Sequence, residues 1–212
     1  MSPLLPPQFL ALTPGNLEPG QSFSSDSGDL LQRVRAACSA GLSGLLLREP
    51  LLPDRLFLEL ARSLKAILGS GWLGLHDRAH LVAPAEAQAV HLGFRSITAG
   101  QARSCVGPEV AVGMSTHDGD ERVAWNSADY LFHGPVFAPL SKSDHLPPVG
   151  TDGLQRFVRS AGIPTWGLGG ITPDLAPAAC ATGARGVACL GGWLQTDDPA
   201  AKCRAYLEAL AL

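Results

Sequence analysis

The chain has 212 residues and a mass of 22.1 kDa, room for a single sizeable domain spanning 1–212. With 46% hydrophobic and 17% charged residues it is too apolar for a disordered tail, yet no apolar run reaches the roughly 18 residues that would span a bilayer. The 16 Lys and Arg against 19 Asp and Glu give a formal net charge of -3, without the basic stripe that holds a protein on nucleic acid.

The first basic residue is Arg33, so no charged n-region of a targeting peptide opens the chain, and the cytoplasm is the default expectation. Cys38, Cys105, Cys180, Cys189 and Cys203 are odd in number and widely spaced, which predicts buried thiols in a reducing compartment rather than disulfides or a metal cluster.

In chain order, short apolar runs fall at Phe9 to Thr13, Gly44 to Leu47, Trp72 to Leu75, Ala89 to Leu92, Val110 to Met114, Tyr130 to Phe132, Thr165 to Leu168 and Gly186 to Leu190. They are continuous rather than alternating, as strands buried on both faces are. Segments of helical period separate them. In Asp54 to Leu68, for instance, Leu56, Leu60, Leu64 and Ile67 recur on one face. Thr172-Pro173 and Asp198-Pro199 supply capping side chains followed by proline at the first helical position. The third unit is the weakest, its helix broken by Pro84, and Asp118, Asp120 and Glu121 are expected to start a helix after the fifth run.

Eight strand-then-helix units predict a compact (β/α)8 barrel. The alternative, a doubly wound open sheet, lacks its glycine fingerprint, since Pro14-Gly15-Asn16 follows the first run. In a barrel the chemistry sits where strands end. There the chain delivers Arg48-Glu49, His76-Asp77-Arg78, His91-Leu92-Gly93, Ser115-Thr116-His117, His133-Gly134-Pro135, Gly169-Gly170 and Gly191-Gly192.

The two Gly-Gly pairs follow the seventh and eighth strands, where barrel enzymes often hold phosphate on main-chain amides. The plainer reading, tight turns, stays open for each pair alone. His117 offers an imidazole able to move protons near neutral pH, set against the surface role that most loop histidines have. No pair of histidines has metal-ligand spacing, so no metal site is expected. Trp72, Trp166, Tyr130 and Met114 read as packing, while Trp125 and Trp193 cover either the rim or an oligomer contact.

Leu47-Arg48-Glu49, Asp77-Arg78, Val90-His91-Leu92-Gly93, Gly113-Met114-Ser115-Thr116-His117, Ala128-Asp129-Tyr130, Gly134-Pro135-Val136-Phe137, Ser141-Lys142, Gly169-Gly170-Ile171 and Gly183-Ala184-Arg185-Gly186-Val187-Ala188 occur in this order. The string resembles the thiamine phosphate synthase and TenI-type thiazole tautomerase superfamily of barrels. The resemblance implies a thiazole phosphate ligand, with its phosphate on Gly169, Gly170, Gly191 and Gly192, and Arg48, Ser115 and Lys142 in substrate binding.

Departures from the synthase pattern stand at three positions. Pro50 replaces a lysine, His76 an asparagine, and Ser96 the second of two aspartates that hold Mg2+, leaving Asp77. Lys142 matches a lysine of the synthase's diphosphate loop that TenI-type proteins also keep. The expectation is therefore a cofactor-free tautomerase in which His117, as base and then acid, aromatises a carboxythiazole phosphate bound through Arg48, whose plainer role is an ion pair with Glu49 or Asp77. A Mg2+-dependent synthase and a non-catalytic binding protein of the same pathway are the alternatives, and the loop from Ala138 to Gly150 is expected to cover the mouth.

Overall fold

The computed structural model describes residues 2–138, 146–190 and 196–211. Eight parallel strands close into a barrel in sequence order: β1 Phe9–Leu12, β2 Gly44–Leu47, β3 Trp72–His76, β4 Ala89–Leu92, β5 Ala111–Thr116, β6 Tyr130–His133, β7 Thr165–Leu168 and β8 Gly186–Cys189. β8 pairs back onto β1 through Phe9 and Val187. The predicted (β/α)8 architecture is the observed one.

Side chains alternate across each strand. Leu45 and Leu47 pack outward under the helices, whereas Leu46 joins Trp72, Ala89, Ala111, Tyr130 and Trp166 inside the barrel. The interior fills by pairing large with small. At Gly113 an added Cβ would lie 2.0 Å from Tyr130 Cζ, so the missing side chain on β5 makes the space that the Tyr130 ring occupies. Trp72 and Trp166 donate their indole N–H groups to the carbonyls of Leu4 and Pro7, tying the N-terminal segment to the barrel.

The outer layer is α1 Phe23–Ser39, α2 Asp54–Leu68, α3 Ala99–Cys105, α4 Gly150–Ala161, α5 Ala176–Cys180 and α6 Pro199–Leu210. In α2, Phe57, Leu60, Ala61, Leu64 and Leu68 are buried, the stripe that the periodicity predicts. Asp198 caps α6 by accepting from Ala201 N at 2.9 Å, with Pro199 at the first position. Thr172 makes no such cap, and only a 3-10 turn, Pro173–Leu175, precedes α5. After β3 and β5 the helices shrink to 3-10 turns at Ala79–Leu81 and Arg122–Trp125. The helix expected after the fifth run is thus absent, because Asp120 turns back to accept from His117 N at 2.7 Å.

The cysteines also depart from expectation. Cys189 and Cys203 are buried, Cys38 and Cys180 half-buried, and Cys105 exposed on the short α3. Among the described residues no helix is long and apolar enough to cross a membrane.

Candidate active site at the barrel mouth

Leu46 faces inward, so Arg48, two residues on, continues the same row past the end of β2. Its guanidinium lies over Gly15, where an added Cβ would meet Nη1 at 2.5 Å. Neither expected ion pair forms. Glu49 is 1% exposed and accepts from Gly15 N at 3.0 Å and Leu17 N at 2.8 Å, fastening the loop after β1. Asp77 is held by other partners. Arg48 thus has no carboxylate among the described residues, a cation at the mouth without a counter-charge.

At the end of β3, Asp77 and Arg78 adopt φ of 59° and 42°, left-handed conformations that cost about 1–3 kcal/mol each for residues with a side chain. Arg78 is clamped to Asp54 at 3.1 Å, to the Leu52 carbonyl, and over the Phe57 ring at 4.2 Å. Asp77 N donates to the His91 carbonyl at 2.9 Å. One oxygen of its carboxylate accepts from the Ser96 hydroxyl, and the other lies 3.2 Å from His76 Nδ1. Burial opposes the charge on Asp77, but hydrogen bonds from His76 and Ser96 outweigh it and hold the carboxyl below its usual range.

His91 stands beside this cluster with its ring centroid 6.2 Å from that of His76. It is 1% exposed, stacks on Phe132, and bonds Tyr130 Oη through Nδ1 at 3.2 Å and Ser115 Oγ through Nε2 at 2.9 Å. Burial pushes its pKa well down, so the ring is neutral. Ser115 belongs to the inward row of β5, alternating with Ala111 and Gly113, and this brings the predicted substrate-binding serine into the mouth. The sequence reading did not foresee the polar chain behind it. Its signal was parity: His91 and Tyr130 occupy inward positions on strands otherwise filled with apolar residues.

His117 is placed differently. Its Nδ1 lies 3.7 Å from Asp120, and its ring lines a groove of about 550 Å3 with Arg122, Trp125, Arg156, Phe157 and Ser160. Neither Gly169 nor Gly170 lines that groove. Beneath it, His133 stacks on Phe157 at 3.7 Å, and burial lowers its pKa to about 4.

Gly169 and Gly170 take φ of 97° and 63° after β7. An added Cβ would lie 2.7 Å from Pro135 Cβ at the first and 2.5 Å from the Ala138 carbonyl at the second. Close packing against the loop after β6 therefore demands both glycines, and α5, at five residues, is too short to add a helix dipole for an anion there. Lys142, Gly191, Gly192 and Trp193 lie outside the described residues, as does the middle of the loop expected to cover the mouth.

Residues 20–192 match the family model described as thiamine monophosphate synthase. The chain belongs to this family. It is 35% identical over 185 residues to a thiamine-phosphate synthase of Moorella thermoacetica, covering 85% of this chain and 88% of that protein. A thiamine-phosphate synthase of Laribacter hongkongensis is 34% identical over 180 residues, covering 83% and 85%. Among solved structures, thiamine phosphate pyrophosphorylase from Pyrococcus furiosus superposes with a TM-score of 0.80 at 22% identity, covering 96% and 95% of the two chains. The family places the chain in thiamine biosynthesis, and the relatives' names speak for synthases rather than for the tautomerase expected from the departures.

The Mg2+ that the synthase pattern implies does not suit the donors present. Asp77 is a lone carboxylate whose two oxygens already face Ser96 and His76, and no cluster of three His, Cys, Asp or Glu side chains forms among the described residues.

Proposed function

We propose that this barrel joins a thiazole phosphate to a pyrimidine carried on a diphosphate, the reaction for which its relatives are named. The observation in support is Arg48, a half-buried guanidinium at the mouth without a carboxylate partner among the described residues. Such a cation suits an anionic group whose charge grows as a bond breaks. In that reaction the carbon-oxygen bond to diphosphate breaks with its electron pair leaving on oxygen, and the thiazole nitrogen lone pair forms the new carbon-nitrogen bond. Arg48 then stabilises the departing diphosphate, and the N–H groups around Gly169 and Gly170 hold the thiazole phosphate. Ser115 contacts the ring. Lys142, Gly191 and Gly192 complete this assignment from the sequence pattern. Incubation with thiazole phosphate, hydroxymethylpyrimidine diphosphate and Mg2+ tests the proposal: thiamine phosphate is the expected product, and its absence at saturating substrates overturns the reading.

A second reading rests on the occupied carboxylate of Asp77 together with Pro50 and Ser96. On it the protein is a tautomerase. His117 removes a ring proton and returns it elsewhere, and Arg48 binds the substrate carboxylate. Proton relocation in a carboxythiazole phosphate without thiamine phosphate formation would select this reading.

A further inference from the structure

Three polar side chains cross the barrel between its apolar floor and its mouth, and their hydrogens can be placed one by one. Tyr130 Oη lies 3.2 Å from His91 Nδ1, and His91 Nε2 lies 2.9 Å from Ser115 Oγ. Among the described residues, none of the three makes another hydrogen bond. A neutral imidazole carries one N–H, and each hydroxyl carries one O–H. Three hydrogens therefore serve two links, and one must leave the chain at an end.

The two ends differ. If the hydrogens ran inward, Ser115 would donate to Nε2, Nδ1–H would donate to Tyr130, and the phenol hydrogen would be stranded. Tyr130 is fully buried within an apolar cluster, so this hydrogen would find neither protein acceptor nor water. Running outward, Tyr130 donates to Nδ1 and Nε2–H donates to Ser115. The surplus hydrogen then belongs to Ser115, half-buried on the inward row where β5 opens into the mouth.

The neighbouring residue shows the contrary case. Thr116 donates to the Phe132 carbonyl at 3.1 Å and thereby accepts from His133 Nδ1 at 3.1 Å, so its hydrogen is used up on the backbone. Ser115 has no such carbonyl among the described residues.

We propose that Tyr130 and His91 are positioning residues that lock His91 as its Nε2–H tautomer and thereby fix the Ser115 hydroxyl as a donor into the mouth. The ring that fits best presents a hydrogen-bond acceptor, an unprotonated ring nitrogen, to the Ser115 hydrogen. A ring with an N–H at that place could use only the second lone pair of Ser115 Oγ, leaving the serine hydrogen without an acceptor on the ligand, and binds more weakly. The identity of the ring rests on the synthase reading, whereas the hydrogen placement does not.

Two measurements test this. Long-range proton-nitrogen correlation spectra of the full chain labelled with 15N-histidine assign the tautomer of His91 directly. Nε2–H is expected, and Tyr130→Phe should release a mixture of both tautomers. Nδ1–H in the parent protein, or no change in the variant, overturns the relay, and a merely structural tyrosine would leave the tautomer unmoved. Calorimetry then compares Ser115→Ala with the parent for two probes, hydroxymethylpyrimidine diphosphate and inorganic diphosphate. Affinity for the pyrimidine compound should fall about tenfold while that for diphosphate is unchanged. Equal losses for both would put Ser115 on the phosphates and overturn the ring assignment. Should the parent bind diphosphate but show no added affinity for the pyrimidine, the synthase reading fails, and the tautomer spectrum still decides the relay.

Discussion

β5 presents two histidine sites to two different environments. On its inner face Ser115 ends a chain that starts on a buried phenol and opens into the mouth, with a neutral imidazole sealed between them. Around its outer end Thr116 spends its hydroxyl on the backbone, His133 lies flat on Phe157, and His117 borders a groove with Arg122 and Arg156. Both sites contain an imidazole and a hydroxyl three ångströms or so apart. Only the inner one leaves a hydrogen for a ligand. Which residues lie nearby says less than which way their hydrogens point, and burial of the far partner decides that.

The contrast can be broken first at the level of catalysis. Arg48→Ala removes this cation from the mouth and should lower thiamine phosphate formation by about 10²-fold to 10³-fold in steady-state assays. His117→Gln, on the groove side, should leave that rate close to the parent's. A loss of about 10²-fold to 10⁴-fold in His117→Gln would move the chemistry across β5 and favour proton relocation.

Next in size, Glu49→Ala strips two backbone N–H groups of a buried carboxylate and should cost about 3 kcal/mol in chemical denaturation. Hydrogen exchange should rise at Gly15 and Leu17 before the rest of the barrel.

A smaller effect separates the histidines by pH. The unfolded chain takes up protons on histidine below about pH 6.5, whereas His133 stays neutral in the fold until about pH 4 and burial holds His91 well below its ordinary value. Stability should therefore be complete above pH 6.5 and fall as the pH drops toward 4, because only the unfolded state gains protons. His133→Gln should flatten that slope in urea midpoints measured across this window. The smallest change is expected for Arg156→Ala in the exposed groove, within about 0.5 kcal/mol of the parent.

The strands were legible because a parallel barrel buries both faces of every strand, and eight separate apolar runs have few other ways to hide. The runs at Gly44, Ala89 and Thr165 matched the observed strands to the residue. Helices with a full apolar stripe, such as α2, were equally plain. The connection after β5 misled, since acidic residues before an apolar stretch resemble a helix start until one of them, Asp120, turns back onto His117 N. At the site, the described residues read as strand ends do follow their strands, but the sequence was silent on what each would engage. Arg48 and Glu49 are adjacent, and adjacency suggested an ion pair, but the strand sends them to opposite sides. Glu49 is drawn to loop amides 32 and 34 residues away.

The order of hydrophobic runs and turns therefore determined the architecture, and the motif string determined the family, because both are written in local sequence. Tertiary structure alone decided that Asp77 is spoken for by Ser96 and His76, that His117 borders the groove lined by Arg156, and that Tyr130 governs the proton on His91. These depend on side-chain parity and on closure of β8 against β1, which bring distant residues within hydrogen-bond reach. Hydrogen-bond direction is set by whichever end of a chain is deprived of water, and burial of that kind exists only once the barrel is complete.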